Sequence, residues 1–122
     1  MQTPLNTILL YAKNMQVTAG FYQKYFGFIS TGEVVEGLIE LKSKNGGVNI
    51  LIHQAAKSIK PGQVGVKLMF DVEDIEKFKK ESAAQGLKFG STHQANGYSF
   101  ANAKDPDKNS VAISSRAYRN RN

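Results

Sequence analysis

A chain of 122 residues with 41% hydrophobic content is long enough for one domain with a substantial core and too short for two that fold independently. It has no cysteine, which excludes disulfides, thiol catalysis and thiolate zinc sites. The net charge of +6 raises the question of nucleic acid, but Arg116, Arg119 and Arg121 crowd the tail SSRAYRNRN and the lysines are scattered among acidic residues, with no nucleic-acid motif. The tail reads as a solvated terminus, and no nucleic-acid partner is expected; a transcription-linked or antitoxin-like interaction module would have only this tail behind it.

No apolar run approaches the roughly 20 residues of a membrane span, and the N-terminus has neither a basic start nor a small-residue cleavage site. A soluble cytoplasmic protein with no membrane partner is expected. A module at about 5–53, a linker at 54–63, a second module at 64–115 and a basic tail at 116–122 organise the chain as a single domain over 1–122.

In chain order, Leu5 to Ala12 is a mostly apolar run of strand length. Asn14 caps a helix through Phe26, with Val17, Phe21, Tyr22 and Tyr25 as its buried stripe and Phe26 also in the core; Gly27 ends it. Gly20 inside this helix costs about 1 kcal/mol. Three strands follow, at 28–35, 38–42 and 48–53, the last two joined through Asn45-Gly46, a hairpin signal. Residues 54–63 carry Pro61-Gly62 and read as the linker.

The second half repeats this order. A strand at 64–70 leads into a helix at 71–86, with Ile75 and Phe78 inside and Gly86 as its stop. Three more strands are expected at 87–92, 97–103 and 110–114, the last two joined by Asp105-Pro106-Asp107-Lys108-Asn109, a polar turn. Matching Leu10 to Phe70, Asn14 to Asp74 and Met15 to Ile75 gives a constant offset of 60. Each unit alone leaves an apolar sheet face half covered, so two must pair.

The segment Gly20-Phe21-Tyr22-Gln23-Lys24-Tyr25-Phe26-Gly27-Phe28 resembles the helix end FY…LGF of the vicinal oxygen chelate superfamily, and Asp105 to Asn109 resembles its DPDGN turn. That superfamily includes glyoxalase I, bleomycin-resistance proteins and extradiol dioxygenases; the likeness runs from Thr7 to Arg116. It departs at Lys108, where the family usually has Gly; if this position takes positive φ, Lys108 is strained. The resemblance implies an α+β fold in which two βαβββ modules pair into a cupped mixed sheet, with helices outside, a ligand and often a metal inside, and frequent homodimers.

Strand parity sets the cup face. Ile8 and Leu10, and Val66, Leu68 and Phe70, suit the helix-covered side; Thr7, Leu9, Tyr11, Lys67 and Met69 face the cup. With Ile50, Ile52, Tyr98, Phe100, Ala112 and Ser114 these make the expected ligand-binding set. In metal-dependent relatives two strands of each module supply four ligands, usually His, Glu or Gln. Carried over, those positions fall on Thr7, Ile50, Lys67 and Ala112, none a good metal ligand, and a one-residue shift repairs none of the set. No metal and no other cofactor is expected.

His53, by parity with Ile50 and Ile52, is expected to point away from the cup, and His93 to sit at a strand end; neither has an acidic partner at recognisable spacing. Ser114 and Thr7 lack an identifiable base, so no catalytic residue emerges. An inward Lys67 requires a carboxylate such as Glu40, an anionic ligand, or a position at the rim. Tyr11, Tyr98 and Phe100 are placed to stack a flat ligand, with Tyr98 beside Gly97 as a lid. The expectation is a protein of the bleomycin-resistance type that binds a small organic molecule, anionic or aromatic. The alternative is a glyoxalase-like lyase or isomerase, or a dioxygenase-like enzyme, with a displaced metal or metal-independent chemistry.

Overall fold

The computed structural model describes residues 2–119, so Arg121 of the basic tail lies outside the described residues. The chain divides between Pro61 and Gly62 into two compact units, each with its own sheet and helix. The class is α+β, with two helices and two mixed sheets of three and four strands.

The first unit runs β1 (Thr7–Ala12), α1 (Met15–Phe26), β2 (Leu38–Leu41) and β3 (Asn49–Gln54). Its sheet has the order β1-β3-β2, with β1 parallel and β2 antiparallel to β3. Asn14 accepts a hydrogen bond from the Val17 amide at 3.1 Å and opens α1; Gly27, at φ 73°, closes it with its own amide turned back to the Gln23 and Tyr22 carbonyls.

The buried stripe of α1 is Met15, Thr18, Ala19 and Tyr22, rather than Val17, Phe21, Tyr22 and Tyr25. Val17 is 53% exposed, and Phe21, Tyr25 and Phe26 are only half-buried. The observed set keeps the i, i+3, i+4, i+7 spacing of one helix face, and its small members let the helix settle close to the sheet. Phe21 instead joins a ring cluster with Tyr22, Tyr25 and Phe26, at centroid distances of 5.1, 5.2 and 5.9 Å.

The expected strand at 28–35 forms no strand. It makes two isolated bridges, Ile29 to Lys42 and Val35 to Leu38. Gly32 at φ 76° breaks the extended run between them. Glu36 and Gly37, both at positive φ, make the two-residue turn that folds Val35 back on Leu38. Asn45-Gly46 does lie between antiparallel β2 and β3, but Gly46 and Gly47 carry the positive φ angles, so the connection is a longer loop than the dipeptide suggests. The Asn49 side chain braces it by accepting from the Ser43 amide at 2.8 Å.

The second unit runs β4 (Lys67–Asp71), α2 (Ile75–Ala84), β5 (His93–Gln94), β6 (Ser99–Lys104) and β7 (Ser110–Ser114), followed by a short 3-10 turn (Arg116–Tyr118). Its order is β4-β7-β6-β5, with β4 parallel to β7 and the other pairs antiparallel. In both units the first strand lies parallel to the last. The offset of 60 holds at the caps, since Asp74 receives the Lys77 amide at 3.1 Å as Asn14 receives that of Val17.

The expected strand at 87–92 is not formed: Leu87 and Phe89 are buried, but only the Gly90 amide reaches β6, at the Asn102 carbonyl, and pairing begins at His93. The Asp105 to Asn109 turn is built by one carboxylate. Asp105 Oδ1 accepts from the amides of Asp107 and Asn109 at 2.8 and 2.9 Å, and Oδ2 accepts from the Asn109 side chain at 2.9 Å. Lys108 follows at φ 64°, so the position does take the left-handed geometry for which Gly is suited.

Candidate functional site

In each sheet one face is covered by the unit's own helix, and the register decides which side chains belong to the other. In the first unit Ile8 pairs with Ile50, Leu10 with Ile52, Ile39 with Ile52 and Leu41 with Ile50, so all six share a face. Ile39, Leu41, Ile50 and Ile52 are almost completely buried there with the inner stripe of α1. Ile50 and Ile52 therefore lie on the helix-covered face, and the expectation that they face a ligand with Thr7, Leu9 and Tyr11 is corrected. Three consecutive apolar residues, Ile50 to Ile52, carry no parity of their own; pairing with β1 fixes it.

The same register corrects His53. It pairs with Tyr11 on the uncovered face, and the two rings meet edge to face at 5.5 Å, while His53 Nδ1 lies 2.8 Å from the Gln54 carbonyl oxygen. Leu9 and Tyr11 are 40% and 51% exposed on this face, and Thr7 donates to Asn6 at 2.9 Å.

In the second unit the expected residues fall together. Leu68, Ala101, Val111 and Ile113 make the buried, helix-covered face. The uncovered face consists of three rows: Lys67, Ser110 and Lys104; Met69, Ala112 and Asn102; Asp71, Ser114, Phe100 and His93. Tyr98, just before β6, sets its ring 6.4 Å from Phe100. Lys67, Met69, Tyr98, Phe100, Ala112 and Ser114 are thus neighbours, with Ala112 and Ser114 almost completely buried among them.

Lys67 takes neither Glu40 nor any other carboxylate among the described residues. Its ammonium donates to Asn102 Oδ1 at 2.9 Å and lies 5.8 Å from the Phe100 ring centroid. Glu40 approaches Lys42 at 3.8 Å. Ala112, a single methyl group between Met69 and Asn102, leaves room for the lysine stem to lie across β7. The His93 ring is 5.1 Å from Phe100 and tilted by 31°, while the guanidinium groups of Arg116 and Arg119 lie 6.0 and 5.7 Å from the centre of the Tyr98 ring. Ser114 is buried and accepts from the Arg116 amide at 3.1 Å, so its hydroxyl anchors the 3-10 turn.

Sequence reasoning missed Asn102, Lys104 and Ser110 on this face. Folding β6 and β7 about the Asp105 to Asn109 turn sets Lys104 opposite Ser110 and Asn102 opposite Ala112, and that symmetry was the available signal. A separate depression of 430 Å³ at the head of α2 is lined by Glu73, Asp74, Glu76, Thr92 and Ser99 among others. Its polar groups are engaged in structure: Asp74 caps α2, and Thr92 bridges Glu76 and Lys79.

A divalent metal of the kind the resemblance implies does not fit these residues. Thr7, Lys67 and Ala112 include neither a carboxylate nor an imidazole, Ala112 is completely buried, and Ile50 is inside the helix-covered core. Among the described residues no three of His, Cys, Asp and Glu stand together where they could hold an ion.

The profile of the Glyoxalase/Bleomycin resistance protein/Dioxygenase superfamily matches residues 5–113. No curated protein sequence matches the chain. Among solved structures it is similar to a lactoylglutathione lyase from Agrobacterium tumefaciens, at 22% identity over 93% of each chain and a TM-score of 0.71. It is also similar to the antibiotic binding protein TnmS3 from a Streptomyces species, at 14% identity over 92% of this chain and 94% of that one, with a TM-score of 0.75. A virulence protein from Salmonella typhimurium shares 20% identity over 93% of this chain and 97% of that one, at a TM-score of 0.73. At these identities the likenesses establish the fold.

Proposed function

The chain belongs to the Glyoxalase/Bleomycin resistance protein/Dioxygenase superfamily, and on that premise we propose that it is a small-molecule-binding protein, taking an organic ligand on the uncovered face of its four-stranded sheet without the family's catalytic metal. One observation carries the reading: at positions where a metal-dependent relative would present carboxylates and imidazoles, this chain has Thr7, Lys67 and Ala112, while the face of the four-stranded sheet that holds Lys67 offers aromatic rings and amines. Rings supply apolar contact area, and a few placed polar groups orient what binds. The antibiotic-binding relative supports such a use of this fold. A cytoplasmic homodimer is part of the same proposal, and light scattering of the purified chain tests its subunit count.

The deciding experiment is a thermal-shift screen of the untagged protein against divalent metals and a panel of small organic compounds, paired with elemental analysis. The reading expects stabilisation by organic compounds with chelator present and less than stoichiometric metal. Stabilisation by metal alone, or metal bound at one equivalent per chain, would sink it in favour of a metal-dependent lyase, isomerase or dioxygenase.

A further inference from the structure

Among the described residues, two amines on the uncovered face of the second sheet have no counter-ion. Lys67 and Lys104 flank Ser110 in one row, separated by two strand spacings, roughly 10 Å between backbones. Lys67 donates to Asn102 Oδ1 and Lys104 to Ser110 Oγ, each at 2.9 Å, and neither is ion-paired among the described residues. An ammonium carries three donors, so each can still donate to a further acceptor. A carboxylate set between them would receive charge-assisted bonds from both sides, with Asn102 and Ser110 as polar neighbours.

An aromatic platform adjoins this pair. The Lys67 ammonium lies 5.8 Å from the centre of Phe100, and Phe100 is flanked by His93 at 5.1 Å and Tyr98 at 6.4 Å. His93 is exposed and the other two rings are half-buried, so the platform offers ring surface to an incoming molecule. Asp71 is the one acidic side chain in the three rows. It stands across Ser114 from Phe100, at the end away from the lysine row, and so disfavours an anion there. The net charge of +6 raises the local concentration of anions.

Resting on the binding reading above, we infer that the ligand class is a planar aromatic carboxylic acid, its carboxylate bridging Lys67 and Lys104 and its ring lying over Phe100 and His93. The recognition divides in two: the amines select the charge, and the rings select a flat body.

The test is calorimetric titration of the untagged full chain with 1-naphthoate, with 1-naphthalenemethanol as its neutral counterpart and cyclohexanecarboxylate as its non-aromatic one. Naphthoate is expected to bind about tenfold or more tightly than either. Lys67→Met and Lys104→Met should each weaken naphthoate by about tenfold and leave the neutral alcohol unchanged. Phe100→Leu should remove the preference for naphthoate over cyclohexanecarboxylate, while Lys42→Met changes nothing. Circular dichroism of every variant reports the fold. No heat from naphthoate, equal binding of the alcohol, or full affinity in Lys67→Met overturns the inference. If other organic compounds stabilise the protein while naphthoate does not, only the ligand class falls; if metal alone stabilises it, the binding reading falls too.

Discussion

A Cβ added to Gly62 would stand 2.9 Å from the Lys108 Cβ and 3.1 Å from the Lys108 carbonyl oxygen, and both residues hold positive φ, 77° and 64°. The start of the second unit is thus wedged against the turn between β6 and β7. Gly62→Ala is expected to cost about 1–3 kcal/mol, from left-handed strain and the clash together. Lys108→Gly is expected to add up to about 1 kcal/mol by relieving its own strain, less the greater chain entropy of Gly when unfolded. With both changes, part of the Gly62→Ala cost should return, because the Lys108 Cβ has gone while its carbonyl remains. Urea denaturation of the four proteins measures this, and strict additivity would contradict the wedge.

Gly20 has the opposite character. It is inside α1, and a Cβ built on it meets nothing within 4 Å. Gly20→Ala is therefore expected to stabilise the protein by about 0.5–1 kcal/mol and to raise the melting temperature. A lower melting temperature would mean that this side of α1 is occupied by something other than solvent.

Asp105 is almost completely buried and accepts three hydrogen bonds within its own turn. Asp105→Ala leaves those donors without their acceptor and is expected to cost about 2–4 kcal/mol. Asp105→Asn keeps one carbonyl acceptor and should cost less. Chemical denaturation orders the two, and equal losses would show that one carbonyl oxygen cannot hold the turn and that the second oxygen and the charge are essential.

The assignment of strand faces can be tested in the first sheet. Ile52 is fully buried and Leu9 is 40% exposed. Ile52→Ala should cost about 2–5 kcal/mol, whereas Leu9→Ala should cost under about 1 kcal/mol. Similar losses at the two positions would put Leu9 back in a packed interior.

Much of the fold was legible where a residue acts on its own neighbours. Asn14, Gly27, Asp74 and the Asp105 turn work through bonds to nearby residues, so their chemistry can be read without a partner strand. The faces of β4, β6 and β7 were also readable: alternation sets Lys67 and Met69 apart from Leu68 and Phe70. In β3 it failed, since Ile50, Leu51 and Ile52 look alike and only their partners on β1 and β2 distinguish them. The stripe of α1 was misread for a related reason. Size favoured Val17 and Phe21, whereas packing against the sheet selected Thr18 and Ala19. On the second sheet's face opposite α2, Lys67 and Phe100 were visible as single residues, but the Lys104, Ser110 and Asn102 neighbourhood exists only across three strands.

The parallel pairing of first and last strands also dictates when each sheet can be completed. Thr7 finds its partner at Asn49 and Lys67 at Ser110, so neither β1 nor β4 has its parallel neighbour until almost the whole of its unit has been made. On the ribosome β1 must wait, paired with nothing of its own unit, until β3 has emerged. Loop closure over such a span precedes the contacts that reward it, which slows refolding relative to a hairpin. The β6 and β7 hairpin closes over five residues only, and so can form before β4 docks beside it.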